Sequence, residues 1–208
     1  MMKLEKDLQE YYTEEYEKHM STSVSIARAI AIMAHLNQKR LCGVPYVSHP
    51  YGLASMFKTL TFMDYDDFDE DDVYRFNIPV SGILELCWLH DVVEDTIYTE
   101  EEIRDVFNSH GLGDFYDTFI HKPLLLITHD KSEPYPSYID KVCSNVYSAL
   151  VKLLDMNDNL TLWSLDHLGD KEVKRIADYA SYAKTINDKF HFIENFNEYT
   201  KYYMEKHK

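Results

Sequence analysis

The chain has 208 residues, of which 45% are hydrophobic and 27% are charged. This balance is typical of one globular domain that can bury a hydrophobic core without disulfide or metal cross-links. Lysine and arginine total 21 against 36 aspartate and glutamate residues, and the formal charge of −15 argues against broad binding to nucleic-acid backbones. A small anionic ligand stays compatible with this charge if a metal and a few cations reverse the sign in one pocket.

The cysteines and the lengths of the apolar segments further restrict the possible classes of protein. Cys42, Cys87 and Cys143 are widely spaced and odd in number, which predicts neither a disulfide framework nor a CxxC zinc site and favours a reducing, cytoplasmic location. The charged N-terminus lacks a signal core, and no window approaches the roughly 18 apolar residues of a membrane span. Only 6 glycines, 6 prolines and long stretches of helical periodicity predict an all-α fold.

The first part of the chain contains three predicted helices. Residues 4–20 are charged and rich in tyrosine, which predicts an amphipathic helix for packing or for a homo-oligomer. Residues 24–35 form a buried helix, and residues 37–46 contain the glycine and proline of a loop. In the next helix Pro50 has an early position that tolerates its missing N–H. His49 therefore lies at a helix N-terminus, where a single histidine is more often a capping or core residue than a ligand.

Residues 64–72 carry the densest charge in the chain, with seven acidic side chains in nine positions. Calcium binding is one interpretation, but the spacing is not that of an EF-hand, and no glycine lies at its centre. We therefore predict a solvated loop that contributes much of the net negative charge.

The apolar run of residues 83–89 leads directly into the polar sequence HDVVEDT. If the helix continues, His90 and Glu94 are four residues apart and share one face. Asp91 and Asp95 have the same spacing and share the neighbouring face. Four ionisable groups at the end of an apolar helix are costly to bury unless positive charge compensates them. A divalent metal is the simplest compensation, because imidazole and carboxylate are ligands of Mn, Fe or Zn. The alternative is an acidic helix end that faces water.

Further helix signals follow this central stretch. Thr99 can cap a helix, and Glu102 stands three residues later as a capping box requires. Residues 119–128 are apolar enough to be mistaken for a strand, but no partner strand is evident, so we predict a helix there.

A second apolar helix turns abruptly polar near its end. Within residues 149–160, Asp155 and Asn159 are four apart and share a face, whereas Asp158 is predicted to point elsewhere. One long helix over residues 170–202 is then predicted to close the core.

The order of these polar clusters, His49, then His90 and Asp91, then Asp155, resembles the H…HD…D metal site of the HD-domain phosphohydrolases. Three local motifs are similar to those of RelA/SpoT-type (p)ppGpp hydrolase domains. The opening motif comprises His35, Gln38, Arg40, Gly43, Pro45, Tyr46, His49 and Pro50. The central motif is HDVVEDT, and the closing motif comprises Lys152, Leu153, Asp155, Asn159 and Leu160. The resemblance spans about residues 24–190 and implies a single HD-domain helical bundle over residues 1–208.

The resemblance implies a role for each matching residue. One divalent metal, usually Mn²⁺ in this family, would be bound by His49, His90, Asp91 and Asp155. Glu94 and Asp95 would position or deprotonate the attacking water. Asn159 would hold the substrate near the metal, and Arg40 would pack against or contact its base. His35 would have a structural role close to the ligands.

Several loop positions depart from the pattern common in the family. A glycine, a basic residue, a serine, an acid and an arginine are common where this chain has Asn37, Leu41, Cys42, Val44 and Thr161. Because several of these positions line the nucleotide pocket in the family, the resemblance carries over to the metal site better than to the substrate. The chain ends near Lys208, so we expect no synthetase domain and a stand-alone small hydrolase, comparable in extent to metazoan-type enzymes.

Three functional hypotheses remain open. The leading one is Mn²⁺-dependent removal of the 3′-pyrophosphate of (p)ppGpp, which gives GDP or GTP and pyrophosphate. A second keeps the metal site and changes the substrate to another nucleotide, such as NADPH or a (deoxy)nucleotide. A third is a degenerate HD domain that binds a nucleotide or a partner protein without turnover, which a missing ligand would favour. No nucleic-acid or membrane partner is predicted, and a homo-oligomer is left open.

Overall fold

Helices dominate residues 22–208, the part of the chain that the computed structural model describes. The predicted all-α fold is confirmed, because these residues contain no β-strand and only an isolated bridge between Lys39 and Pro45. In chain order the α-helices are α1 (Thr22–Ala34), α2 (Ser48–Thr61), α3 (Glu70–Tyr74), α4 (Ile83–Leu89), α5 (Val92–Asp95), α6 (Glu100–Ser109), α7 (Gly113–Phe115), α8 (His121–Ile127), α9 (Tyr135–Val142), α10 (Val146–Asn159), α11 (Asp170–Phe190) and α12 (Phe192–Lys206). A π-helical turn at Tyr116–Ile120 joins α7 to α8, and a short 3₁₀ helix spans Leu162–Ser164.

Helix α4 lies at the centre of the core, and all 7 of its residues are buried. Its sequence, ILELCWL, is apolar on nearly every side, so the helix is stable only when other helices surround it. Helices α1, α2, α8 and α10 pack against it. Each fully buried Leu or Ile contributes roughly 1.5–3 kcal/mol relative to exposure. Glu85 is accommodated because Ser23 Oγ donates a 2.5 Å hydrogen bond to its carboxylate.

The helix starts follow the capping signals of the sequence. The backbone N–H of Glu102 donates to Thr99 Oγ1 at 3.2 Å, and that of Thr99 donates to Glu102 Oε2 at 3.0 Å, so the predicted capping box is confirmed. The side chain of Asn145 caps α10 by accepting hydrogen bonds from two backbone N–H groups of its first turn. Residues 119–128 are largely helical, as predicted.

Two helices form the C-terminal region, so the prediction of one helix over residues 170–202 is wrong. Helices α11 and α12 meet at His191, whose φ is 56°. This left-handed conformation is unfavourable for a histidine, and neither glycine nor proline marks the break. Asn187 stabilises it, because its side-chain oxygen accepts a 2.9 Å hydrogen bond from the backbone N–H of Ile193. The break allows Phe192 to enter the core.

Helix α12 binds part of the acidic run of residues 64–72, so the prediction of a solvated loop is wrong there. Asp72 is only 5% exposed, accepts a 2.9 Å hydrogen bond from Tyr202 and pairs with Lys206. Asp67 accepts a 2.6 Å hydrogen bond from another tyrosine of α12. These charges are compensated by side chains that lie far along the sequence, which no local pattern indicates.

Some predictions concern segments or properties beyond these helices. The predicted helix over residues 4–20 lies outside the described residues. No helix between residues 22 and 208 has both the length and the apolar character needed to cross a membrane. The organisation of residues 1–208 as a single domain stays a prediction.

Candidate functional site

Three parts of the helical core deliver the predicted metal ligands to one place. His49 is the second residue of α2, Asp155 lies in the second half of α10, and His90 and Asp91 occupy the turn between α4 and α5. The two histidines and Asp155 are buried, and the side chain of Asp91 is 18% exposed. Packing of α2 and α10 against α4 therefore brings together residues that are far apart in the sequence.

A turn at His90 and Asp91 replaces the continuous helix considered from the sequence. Helix α4 ends at Leu89, and α5 begins at Val92. Neighbouring side chains on a regular helix point roughly 100° apart, so they rarely meet at one point. The turn brings Asp91 Oδ2 to 2.9 Å from His90 Nε2. Both side chains can therefore face the same ion.

The donor atoms of the four predicted ligands converge. His49 Nε2 lies 3.2 Å from His90 Nε2 and 3.0 Å from Asp155 Oδ1. Asp91 Oδ2 lies 3.5 Å from His49 Nε2, and Asp155 Oδ1 lies 3.9 Å from His90 Nε2. Because ligand atoms of His49, His90 and Asp91 all lie within 4.8 Å of one another, these residues could hold a divalent metal.

The hydrogen bonds of the two imidazoles fit a bound cation. His90 Nδ1 donates to the backbone carbonyl of Cys87 at 2.9 Å, and His49 Nδ1 donates to Asp158 Oδ2 at 2.7 Å. In neutral rings this arrangement leaves a lone pair on each Nε2. Two lone pairs 3.2 Å apart, beside two carboxylates, repel one another unless a proton or a metal ion lies between them. This donor set suits an imidazole–carboxylate metal site.

Nearby cations balance the buried carboxylates. Lys152 Nζ lies 2.6 Å from Asp155 Oδ2. Burial raises the pKa of Asp155, but Lys152 and His49 outweigh burial and hold this pKa well below its usual range. Burial lowers the pKa of His49, yet its hydrogen bonds to Asp155 and Asp158 raise that pKa to about 9. The centre therefore attracts positive charge at neutral pH.

Asp158 and Tyr46 belong to the site although the sequence interpretation gave them no role. The prediction that Asp158 points elsewhere is wrong, because its Oδ2 accepts the hydrogen bond from His49. Asp158 follows Asp155 by three residues and is therefore only about 60° away round the helix axis, a spacing that indicates a shared side. Tyr46 donates from its hydroxyl to Asp91 Oδ2 at 2.5 Å. Its only sequence signal is its place in the opening motif.

Arg40 and Asn159, the predicted substrate residues, are connected to the candidate ligands. Arg40 pairs with Asp158 through Nη1 and donates from Nη2 to Asn159 Oδ1 at 3.3 Å. Asn159 Nδ2 donates to Asp155 Oδ1 at 2.6 Å. The end of α10 thus joins both residues to the centre, and their contact with a substrate stays a prediction.

Glu94 and Asp95 have different surroundings in α5. Glu94 is half-buried, and its Oε2 accepts a 2.8 Å hydrogen bond from the backbone N–H of His129. Burial raises the pKa of Glu94. Asp95 is more exposed, and its Oδ1 lies 3.4 Å from Lys131 Nζ. A half-buried, oriented carboxylate with a raised pKa, such as Glu94, has the properties of a general base.

His35 lies behind Tyr46 rather than among the ligand atoms. It is buried, its ring centroid is 4.7 Å from that of Tyr46, and its Nδ1 lies 2.8 Å from Gln38 Oε1. Burial lowers its pKa, which favours the neutral ring. This packing is consistent with the structural role predicted for His35.

Two curated relatives are similar to about two thirds of the chain, whereas no protein-family model matches it. A GTP pyrophosphokinase from Myxococcus xanthus is 29% identical over 149 residues, which are 69% of this chain and 17% of that protein. A guanosine-3′,5′-bis(diphosphate) 3′-pyrophosphohydrolase from Haemophilus influenzae is 34% identical over 140 residues, which are 65% of this chain and 18% of that protein. The chain thus spans less than a fifth of the length of either relative.

A solved structure matches most of the chain. It is described as a metazoan ortholog of SpoT that hydrolyzes ppGpp and plays a role in starvation responses. The TM-score is 0.60 at 20% identity, and the match covers 88% of this chain and 96% of that chain. The chain therefore shares the helical fold of that structure. The predicted helical-bundle fold is thereby confirmed, and the candidate ligands lie where α2, α4 and α10 meet.

Proposed function

We propose that this chain is an HD domain that hydrolyses (p)ppGpp to GDP or GTP and pyrophosphate in a metal-dependent reaction. The observation that carries the proposal is the convergence of two imidazole Nε2 atoms, 3.2 Å apart, with the carboxylates of Asp91 and Asp155. The names of the Haemophilus influenzae relative and of the metazoan structure, which both refer to guanosine 3′-pyrophosphorylated substrates, support this choice of substrate. In the reaction, water adds to the phosphorus bonded to the ribose 3′ oxygen. The bond between this phosphorus and the 3′ oxygen breaks, which releases pyrophosphate and leaves a 3′ hydroxyl on GDP or GTP.

The residues that would hold the metal are His49, His90, Asp91 and Asp155. We propose Mn²⁺ because imidazole and carboxylate ligands together suit it, and because it is the usual metal of the family that the motifs resemble. When bound there, the metal supplies Lewis-acid chemistry, since it lowers the pKa of a bound water and offsets phosphate charge. The hydroxyl of Tyr46 keeps Asp91 oriented through its 2.5 Å hydrogen bond.

Glu94 is proposed to take the proton of the attacking water. Burial raises its pKa, and a carboxylate with a raised pKa accepts a proton more readily than an exposed one. The N–H of His129 occupies Oε2, so we assign Oε1 as the proton acceptor. Asp95 is proposed to orient the water, with its carboxylate held near Lys131.

Local cations have to attract the polyanionic substrate, because the chain carries a formal charge of −15. Asp158 and Asn159 hold the guanidinium of Arg40, which is proposed to contact the base of the substrate. Arg175 is a further candidate phosphate ligand. Its Nε is buried without a hydrogen-bond partner among the described residues. Burial and the charges of Asp155 and Asp91 raise the pKa of Tyr179, whereas Arg175 lowers it.

A second candidate is hydrolysis of a different nucleotide, such as NADPH or a deoxynucleotide, at the same centre. The loop between α1 and α2 favours it, because Leu41 and Val44 are 59% and 44% exposed beside Arg40. In the family that the motifs resemble, a basic and an acidic residue are common at these two positions, so an apolar rim would change what the pocket recognises. The complete ligand set and the oriented Glu94 support an enzyme over a non-catalytic nucleotide-binding regulator.

The test is product analysis after incubation of metal-free and Mn²⁺-loaded protein with ppGpp, with NADPH and deoxynucleotides in parallel. We expect equal amounts of GDP and pyrophosphate from ppGpp, only when metal is present, and no products from the Asp91→Ala variant. Cleavage of another nucleotide alone would favour the second candidate. Tight nucleotide binding without turnover of any compound would contradict both enzymatic proposals and favour the regulator.

A further inference from the structure

A side chain from another helix holds the ring of His49. The Nδ1 atom of His49 donates a 2.7 Å hydrogen bond to Asp158 Oδ2, and the Nε2 atom of His49 lies 3.2 Å from His90 Nε2. An imidazole whose second nitrogen donates to a carboxylate has both its tautomer and its orientation fixed for metal binding. His90 differs in this respect, because its Nδ1 donates to the backbone carbonyl of Cys87 within its own segment.

Gly52 provides the space for this carboxylate. It lies one turn after His49 in α2, and a Cβ built on it would come within 2.8 Å of Asp158 Oδ1. Glycine is unfavourable inside a helix. Gly52 is not among the glycines of positive φ, so the backbone of α2 does not require glycine at this position. A side chain at this position would therefore require the Asp158 carboxylate to shift.

Arg40 contacts the same oxygen of this carboxylate as His49 does. Its Nη1 contacts Asp158 Oδ2, and its Nη2 donates to Asn159 Oδ1 at 3.3 Å. The side chains of Arg40 and Asp158 are 11% and 16% exposed, so little water competes for these contacts. The carboxylate is therefore held between His49, Gly52 and Arg40.

We propose that Asp158 is a positioning residue that directs Nε2 of His49 into the metal centre. The carboxylate of Asp158 lies in the space beside Gly52 and is held there by Arg40. This inference rests on the proposed function, because the orientation of His49 affects activity only if His49 binds the metal. Asp158 acts through His49 and touches no reacting atom. Changes at Asp158 or Gly52 therefore reduce metal affinity first.

The test titrates metal-free wild type, Asp158→Ala, Asp158→Asn and Gly52→Ala with Mn²⁺ by calorimetry and with Co²⁺ by visible absorption, which reports ligand geometry. We expect Asp158→Ala to lose about 10–100-fold in affinity. Asp158→Asn should lose less, because its amide oxygen still accepts the hydrogen bond from His49. Gly52→Ala should also bind metal more weakly although every polar group is intact. Alanine favours a helix more than glycine does, so a weaker helix does not explain that result.

Thr59→Ala, an exposed change on the same helix, is the matched control and should bind both metals as the wild type does. If Asp158→Ala does not fold, Asp158→Asn and Gly52→Ala carry the test. Wild-type affinity and an unchanged Co²⁺ spectrum in these variants would overturn the positioning role and leave the proposed function intact. A raised KM for the nucleotide at unchanged metal affinity would also overturn it, because Asp158 would then act through Arg40. A wild type that binds neither metal would overturn the proposed function itself.

Discussion

Lys152 supplies the positive charge that balances the buried carboxylate of Asp155. Replacing Lys152 by an uncharged residue measures how much the stability of the protein depends on this charge balance. Its Nζ lies 2.6 Å from Asp155 Oδ2, and the two side chains are 13% and 6% exposed. Lys152→Met keeps most of the side-chain length but leaves the carboxylate without this cation. Breaking a buried pair in this way costs roughly 3–5 kcal/mol. For a chain of this size the loss corresponds to a decrease in Tm of about 6–20 °C.

The metal should restore part of this stability. Lys152 contacts Oδ2 of Asp155, whereas His49 and the proposed metal face Oδ1, so the ammonium and the metal repel each other across one carboxylate. Removal of the ammonium therefore strengthens metal binding, and binding to the folded state alone raises its stability. We expect Mn²⁺ to raise the Tm of Lys152→Met by more than it raises that of the wild type. Circular dichroism melts in EDTA and in saturating Mn²⁺ provide the measurement.

Lys184→Met is the matched control for this experiment. Lys184 pairs with Asp188 one turn later on α11, and the two side chains are 73% and 60% exposed. An exposed pair of this kind contributes only about 0.3–0.5 kcal/mol. Equal losses of stability in Lys152→Met and Lys184→Met, or a smaller response to Mn²⁺ in Lys152→Met than in the wild type, would refute the charge-balance argument.

Three further changes test other parts of the molecule. Asp91→Ala should abolish Mn²⁺ binding in equilibrium dialysis and turnover in the product assay while the protein remains helical. Glu94→Gln should lower kcat by about 10²–10⁴-fold at unchanged Mn²⁺ affinity, because a general base is lost but no ligand is. Asp72→Asn should destabilise the protein by about 1 kcal/mol in urea at pH 7. Lys206 lowers the pKa of Asp72 in the folded state, so this difference should persist above about pH 4 and vanish as pH falls through the lowered pKa.

Each of these expectations has a clear opposite result. Full metal content in Asp91→Ala would remove this residue from the ligand set. Wild-type kcat in Glu94→Gln would assign the proton to another acceptor. A stability difference between wild type and Asp72→Asn that is the same at pH 7 and pH 3 would show that it does not come from the carboxylate charge.

The four candidate ligands could be named from the sequence only because the ordered motifs resemble a known metal site, since the change from apolar helix to polar cluster marks the central and closing segments but not His49. The turn that lets His90 and Asp91 face the same point could not be predicted, because no glycine or proline interrupts the segment. Periodicity treats such a segment as one helix. Asp158 was recoverable in principle from its i+3 spacing to Asp155, but which of two neighbouring faces meets α2 depends on helix packing.

The larger errors in the fold have long-range causes. His191 adopts a left-handed conformation without the residues that usually mark one, and the compensating contacts depend on the final packing of α11 and α12. Asp72 belongs to a run whose composition is typical of a solvated loop, yet Tyr202 and Lys206 bury and pair it. In each case the stabilising group follows from tertiary structure, which a local pattern cannot contain.

Different groups orient the two histidine rings of the centre. This difference predicts which substitutions disturb metal binding. His90 follows a fully buried helix, and its Nδ1 donates to the carbonyl of Cys87 in that helix, so the core itself orients it. His49 depends on Asp158 of α10, and therefore on the packing of α2 against α10. Substitutions that shift α10 without touching a ligand should weaken metal binding through His49 first. A change of the same size within α4 should lower global stability before it disturbs the orientation of His90.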